Sequence, residues 1–107
     1  MKIVNLTPHA INFVDQEGNA VLSVEPSGNL ARVSSRITTV DSIDGIPVTE
    51  TVFGEVEGLP AEQDGVIYLV SAIVAARCPN RTDVFIPSES VRDDKGRIIG
   101  CKSLGRV

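Results

Sequence analysis

Short runs of β-branched residues alternate along the chain with segments that contain Gly or Pro. This pattern is typical of strands separated by tight turns. Val66–Val70 is apolar throughout, which predicts a buried central strand. The other predicted strands are Lys2–Leu6, Ala10–Val14, Ala20–Glu25, Leu30–Val40, Ile46–Phe53, Val84–Ile86 and Arg97–Cys101.

Turn signals lie between these strands. Asp15–Gly18 and Asp93–Gly96 share an Asp-x-x-Gly pattern, which suits a type I turn. Asp44-Gly45 is a signal for a short hairpin. The acidic segment Gly54–Gly65 predicts a loop with at most a brief strand at its start, and Pro87 is expected to end the strand before it.

Only one helix is predicted, over Ala72–Arg77. Ser71 is a suitable N-cap, and Pro79 would stop the helix. The chain is therefore expected to form a single domain over residues 1–107, an α+β, β-rich fold with a small curved antiparallel sheet or barrel and one short helix. Because partly polar edge strands can pair between subunits, we expect a homo-oligomer.

Charge is unevenly distributed along the chain. The formal net charge is −4, yet the last third, Arg77–Val107, holds seven of the ten basic residues and only four of the fourteen acidic ones. The negative net charge of the whole chain argues against partners such as extended nucleic acid or a membrane surface. Clustered arginines suit a small anion, because guanidinium groups offer fixed donors to phosphate or carboxylate.

The N-terminal candidates for ligand binding are Asn5, Thr7 and His9, which surround Pro8. They offer hydrogen bonds to a ligand, or they satisfy backbone groups at a strand kink. His9 could also act as a general base.

The C-terminal candidates are Ser71, Arg77, Arg81, Arg92 and Arg97. Ser71 begins a helix whose free N–H groups can bind an anion, and the arginines follow it along the chain. The alternative is that each arginine pairs with a nearby acid.

Several site classes lack a signal. The chain has two cysteines and one histidine, too few for a usual zinc site, and its acids show no metal-ligand spacing, so we expect neither metal nor cofactor. The cysteines are expected to be small buried hydrophobes. No signal-peptide pattern or membrane-spanning run is found, which predicts a cytoplasmic location.

Two stretches, Asn5–Ile11 and Val91–Cys101, resemble a family of small bacteriophage and prophage proteins that begin with an N-L-T-P-H string. Phe53–Pro60 and Val70–Ala75 are similar to the same family. The resemblance implies a phage protein that acts in the host cytosol. Phage accessory proteins of this size often disarm host defence, and one group sequesters nucleotide immune signals in oligomeric pockets.

The sequence thus favours a non-catalytic protein that sequesters an anionic small molecule, in particular a nucleotide immune signal. The arginines would hold phosphates, Asn5, Thr7 and His9 would contact the rest, and Tyr68 or Phe85 could stack on a base. One alternative is a protein-binding inhibitor or structural phage component that acts through β edges. A second is a phosphodiesterase that uses His9.

Overall fold

The computed structural model describes residues 1–107 as eight strands and one short helix. More than half of the residues lie in strands, which confirms the β-rich α+β class. The elements are β1 (Lys2–Asn5), β2 (Ile11–Val14), β3 (Ala20–Val24), β4 (Arg32–Ile43), β5 (Ile46–Glu57), β6 (Val66–Leu69), α1 (Ala72–Ala76), β7 (Val84–Arg92) and β8 (Ile98–Gly105).

Six strands form one curved sheet in the order β1-β6-β7-β8-β2-β3. The two edge strands approach each other where the backbone N–H of Ser27 donates to the carbonyl oxygen of Asn5 at 2.9 Å, so the sheet is nearly closed. This sheet with α1 is called the body below. The sheet is mixed and not antiparallel throughout, because β1/β6, β6/β7 and β2/β8 are parallel pairs. Parallel neighbours need a crossover connection, and α1 lies in the one between β6 and β7.

The core of the body is built on both faces of β6. Tyr68 and Val70 pack with Leu6, Val74 and other residues on the α1 side. Leu69, fully buried, packs on the other side with Ile11 and Cys101. A strand covered on both faces has no polar side to show to water, which is why the run Val66–Val70 contains no charged residue.

Strand β7 continues through Pro87 to Arg92, so the expectation that Pro87 ends the strand is wrong. The carbonyl oxygen of Phe85 accepts a hydrogen bond from the backbone N–H of Val70, the residue that follows β6. Backbone groups two residues apart in a strand point toward the same neighbouring strand. Pro87 therefore directs its missing donor toward β6, which has already ended at Leu69. The absent N–H removes no ladder hydrogen bond at that position.

Strands β4 and β5 pair only with each other and form a separate two-stranded hairpin, called the arm below. Asp44 and Gly45 have φ values of 51° and 81°, as a type I′ turn requires. The arm is longer than the sequence indicates, since β4 reaches Ile43 and β5 reaches Glu57. At about 3.4 Å per residue, twelve-residue strands make a projection of roughly 40 Å.

The base of the arm is held to the body at a tight crossing. Val33 and Val56 pack against the α1-side core. Gly58, just after β5, has φ of 82°, and a Cβ there would collide with the carbonyl oxygen of Leu30. Only glycine meets both conditions, so this position fixes where the arm leaves the body.

The protein has an extended shape for its size. Its radius of gyration is 16.9 Å, against about 13 Å for a compact chain of this length. Its longest dimension is 52 Å, and only 11 of its 107 residues are buried. No helix could cross a bilayer, as α1 has five residues.

Candidate functional site

The Asn5 side chain is almost fully buried and satisfies its own surroundings. Its amide nitrogen donates to the carbonyl oxygens of His9 (2.8 Å) and Val24 (3.1 Å). Its amide oxygen accepts from the backbone N–H (2.9 Å) and the hydroxyl (2.7 Å) of Thr7. Four hydrogen bonds use the capacity of the amide, so Asn5 holds the kink after β1 against β3 and has none left for a ligand.

Thr7 and His9 lie at the same kink. The Thr7 hydroxyl is within hydrogen-bond distance of Asn5 Oδ1 and, at 3.1 Å, of the His9 carbonyl oxygen. His9 is exposed and takes part through its carbonyl oxygen. These contacts favour the strand-kink interpretation of the N-L-T-P-H string over a ligand wall.

Ser71 caps α1 as predicted, with its hydroxyl oxygen accepting from the backbone N–H of Val74 at 3.5 Å. The helix ends one residue earlier than expected, and Arg77 is its C-cap. The Arg77 guanidinium carbon lies 4.6 Å from the centre of the Phe53 ring in the arm. This cation–π contact links the helix to the base of the arm.

Arg81 lies at the centre of a polar cluster. Its guanidinium donates to both carboxylate oxygens of Asp83, at 2.8 and 2.9 Å, and to the carbonyl oxygen of Pro60 at 2.9 Å. A carboxylate oxygen of Glu62 lies 3.4 Å from Arg81 Nε. The hydrogen bond from Arg81 lowers the pKa of Asp83, and the same pairing raises the pKa of Arg81. The cluster ties the acidic loop after β5 to the segment that leads into β7.

Arg92 and Arg97 flank the turn between β7 and β8 and stabilise it. Arg92 donates to the carbonyl oxygen of Gly96 at 2.7 Å, and Arg97 donates to Asp93 at 3.0 Å. The Asp93 carboxylate also accepts hydrogen bonds from the backbone N–H groups of Lys95 and Arg97. The bond from the Arg97 N–H contributes most to lowering the pKa of Asp93. The turn therefore has the Asp-x-x-Gly chemistry that its sequence predicts.

The four candidate arginines have four separate sets of partners. Arg77 lies on an aromatic ring, Arg81 binds Asp83, Arg92 binds a carbonyl oxygen and Arg97 binds Asp93. The three main grooves of the surface are lined by none of the eight predicted site residues. Arg81 and Arg97 thus match the alternative in which each arginine pairs with a nearby acid, whereas Arg77 and Arg92 contact an aromatic ring and a carbonyl oxygen.

One groove, of about 240 Å³, lies between β2 and the β7–β8 hairpin and is called the β8 groove. Ile98 and Ile99 line it and are 60% and 50% exposed. Arg92 pairs with Ile98 across the ladder, and Arg97 precedes it. The lining residues are Ala10, Ile11, Asn12, Pro87, Ser90, Ile98, Ile99, Gly100 and Cys101.

The arm carries six of the fifteen large apolar side chains that the protein exposes. No residue of β4 or β5 is buried. The pair Arg36–Val52 is followed by Ile37–Thr51 on the opposite face, so apolar groups occur on both faces. The mixture of polar and apolar residues on each face, already visible in Leu30–Val40 and Ile46–Phe53, is the sequence signal that could have marked a strand pair lying outside the main sheet. The large exposed apolar residues are Ile37, Val40, Ile43, Ile46, Val52 and Phe53.

The remaining reactive groups form no site. Cys78 and Cys101 are free thiols, and burial raises the pKa of both, which disfavours the reactive thiolate form. No three His, Cys, Asp or Glu side chains are grouped so that they could hold a metal ion.

Comparison with known protein families, curated proteins and solved structures finds no match to this chain. Function is therefore inferred from the chemistry of the surfaces described above.

Proposed function

We propose that this protein acts by binding another protein chain and that the arm is the element that makes the contact. The observation that carries the proposal is the exposure of large apolar side chains at the end of the arm, where Ile43 and Ile46 are 62% and 67% exposed. Contiguous exposed apolar surface on a protein marks a site of interaction.

The stability of the arm supports the same proposal. A two-stranded hairpin is marginally stable in water on its own, and a third strand or a packed face is usually needed. Here only the base has such support, through Val33 and Val56. A protein that covers the outer part of the arm would supply the missing packing.

The arginine geometry gives less support to sequestration of an anionic small molecule. A phosphate would have to compete with the carboxylate of Asp83 for Arg81 and with that of Asp93 for Arg97. Sequestration stays a hypothesis that requires these pairs to open. In the phage setting that the resemblance implies, a protein-binding chain would be an inhibitor of a host protein or a structural component.

Photochemical crosslinking inside cells tests the proposal. A benzoylphenylalanine side chain is placed at Ile43, at the end of the arm, and as a control at Glu17, an exposed residue in the turn between β2 and β3. We expect irradiation to join the Ile43 derivative to one protein of defined mass, and Ile46→Asp to reduce that product at least fivefold. The Glu17 derivative should give no such product.

A nucleotide panel gives the opposing outcome. A melting-temperature increase with a cyclic or linear nucleotide, lost in Arg81→Ala and accompanied by no arm-dependent crosslink, would contradict the proposal and restore sequestration.

A further inference from the structure

We propose that the chain bound by the arm is a second copy of this protein, with the arm tip (residues 40–46) of one copy lying in the β8 groove of the other. This inference rests on the proposed function of the arm and names its partner. Surface area, charge and the chemistry of the two surfaces each support it.

The surface area of one copy exceeds that of a compact monomer by the amount that a dimer would cover. The accessible surface is 7416 Å² for a mass of 11.4 kDa, whereas a compact monomer of this mass exposes about 5,800 Å². The excess is about 1,600 Å² per copy. Stable interfaces bury about 800 Å² per partner, and obligate dimers bury more.

The charge of the arm complements that of the turn beside the groove. The arm, residues 32–57, holds five acidic and two basic residues, whereas residues 92–101, which run from this turn into the groove lining, hold three basic and two acidic ones. Opposed patches of this kind favour association of the correct surfaces and disfavour arm-to-arm contact. The uneven charge along the sequence is then a property of two surfaces that meet between copies.

The apolar groups of the two surfaces also correspond. At the arm tip, Ile43 and Ile46 pair with each other across the ladder beside Asp41 and Asp44. At the groove, Ile98 lies beside Arg92 and Arg97. No arm residue lines the groove within its own chain, so an arm that fills it must come from another copy.

Each copy carries one arm and one groove, so a two-fold dimer satisfies both at once. In such an isologous pair the arm of the first copy contacts the groove of the second, and the reverse contact forms by symmetry. A closed pair leaves no unfilled groove from which a filament could grow.

Charge reversal followed by mixing tests the arrangement. Asp41→Lys changes the arm, Lys95→Glu changes the turn beside the groove, and Glu17→Lys is a matched control in the β2–β3 turn. Sedimentation equilibrium should show wild type and control as dimers of the same affinity. Each of the other two variants alone should dimerise at least about tenfold more weakly, because both of its contacts oppose like charges.

The mixture of the two variants decides the question. In a pair made of one copy of each, the changed arm meets the changed groove side, and the unchanged arm meets the unchanged groove side, so the charges at both contacts are again opposite. We expect an equimolar mixture to recover a dimer within about threefold of the wild-type affinity. Circular dichroism spectra that match the wild type exclude misfolding as the cause of dissociation.

A wild type that stays monomeric at 100 µM would overturn the inference, as would a dimer that neither reversal weakens or a mixture that does not recover. The crosslinking experiment separates this failure from that of the proposed function. A product of twice the chain mass supports both, a product with a different protein supports only the proposed function, and no product contradicts both.

Discussion

The arm and the body are made from similar β-branched residues but differ in what covers them. In β6 the consecutive residues Tyr68 and Leu69 are 2% and 0% exposed, because neighbouring strands and α1 cover both faces. In β4 the consecutive residues Arg36 and Ile37 are both exposed, because the arm has only one neighbour for each strand. Beyond its packed base, the arm therefore depends on strand propensity and on its turn, whereas tertiary packing makes the body.

The largest expected effect compares one apolar side chain from each region. Leu69→Ala should lower the free energy of unfolding by about 3 kcal/mol, because it leaves a cavity in a fully packed site. Ile37→Ala, on the arm, should change it by less than about 0.5 kcal/mol, because the side chain is already in water. Urea unfolding followed by circular dichroism measures both. Similar losses at the two positions would mean that the arm is packed within its own chain.

The junction of the two regions gives the next largest effect. Gly58→Ala should cost about 2 kcal/mol, since it combines positive-φ strain with a collision against Leu30. Gly18→Ala is the matched control, because Gly18 has φ of 85° with open space around it and should cost about 1 kcal/mol. Thermal unfolding of both variants gives the difference. Equal losses would show that the crossing at Leu30 does not constrain the arm.

The smallest effect concerns the loop that joins the arm to β6. Asp83→Asn should lower the free energy of unfolding at pH 7 by about 1.5 kcal/mol, because it removes a charge-assisted pair with Arg81. The folded pKa of Asp83 lies below its usual value of 3.8. Its contribution is therefore complete above that value and is lost as the pH falls through the folded pKa.

Unfolding in urea at pH 7 and pH 2 checks this behaviour. The difference between wild type and Asp83→Asn should shrink at pH 2. The control Asp94→Asn, an exposed carboxylate in the β7–β8 turn, should have little effect at either pH. A difference that persists unchanged at pH 2 would show that the pair contributes through packing and not through charge.

Local features of the fold were predictable from the sequence. Asp44-Gly45, the Asp-x-x-Gly turns, the Ser71 cap and the buried run Val66–Val70 all depend on residues within a few positions of each other. The parallel pairing of β1 with β6 was not predictable, because it joins residues 2–5 to residues 66–69. The continuation of β7 past Pro87 depends on where β6 ends, which is also a distant property.

The candidate site was the least predictable part. Charge counts indicate that arginines are close along the chain, but the side chain of each was directed by its nearest acceptor, such as Asp83 for Arg81. The hairpin of the arm was predictable, but its separation from the main sheet was not, because strands that pair only with each other have the same local pattern as strands in a larger sheet. The available signal was the presence of apolar residues on both faces of the arm. Val52, opposite Arg36, lies on one face, and Ile37 lies on the other.

The pairing of β1 with β6 also determines the order in which the molecule can fold. The arm joins residues close in sequence through a two-residue turn, and such hairpins form in about 1–10 μs. During synthesis β1 is made long before β6, and its pairing with that strand must wait until residues 66–69 have been added. The nearly closed sheet therefore forms late, through slow nonlocal contacts. A nascent chain would display a finished arm while β1 still lacked its strand partner β6.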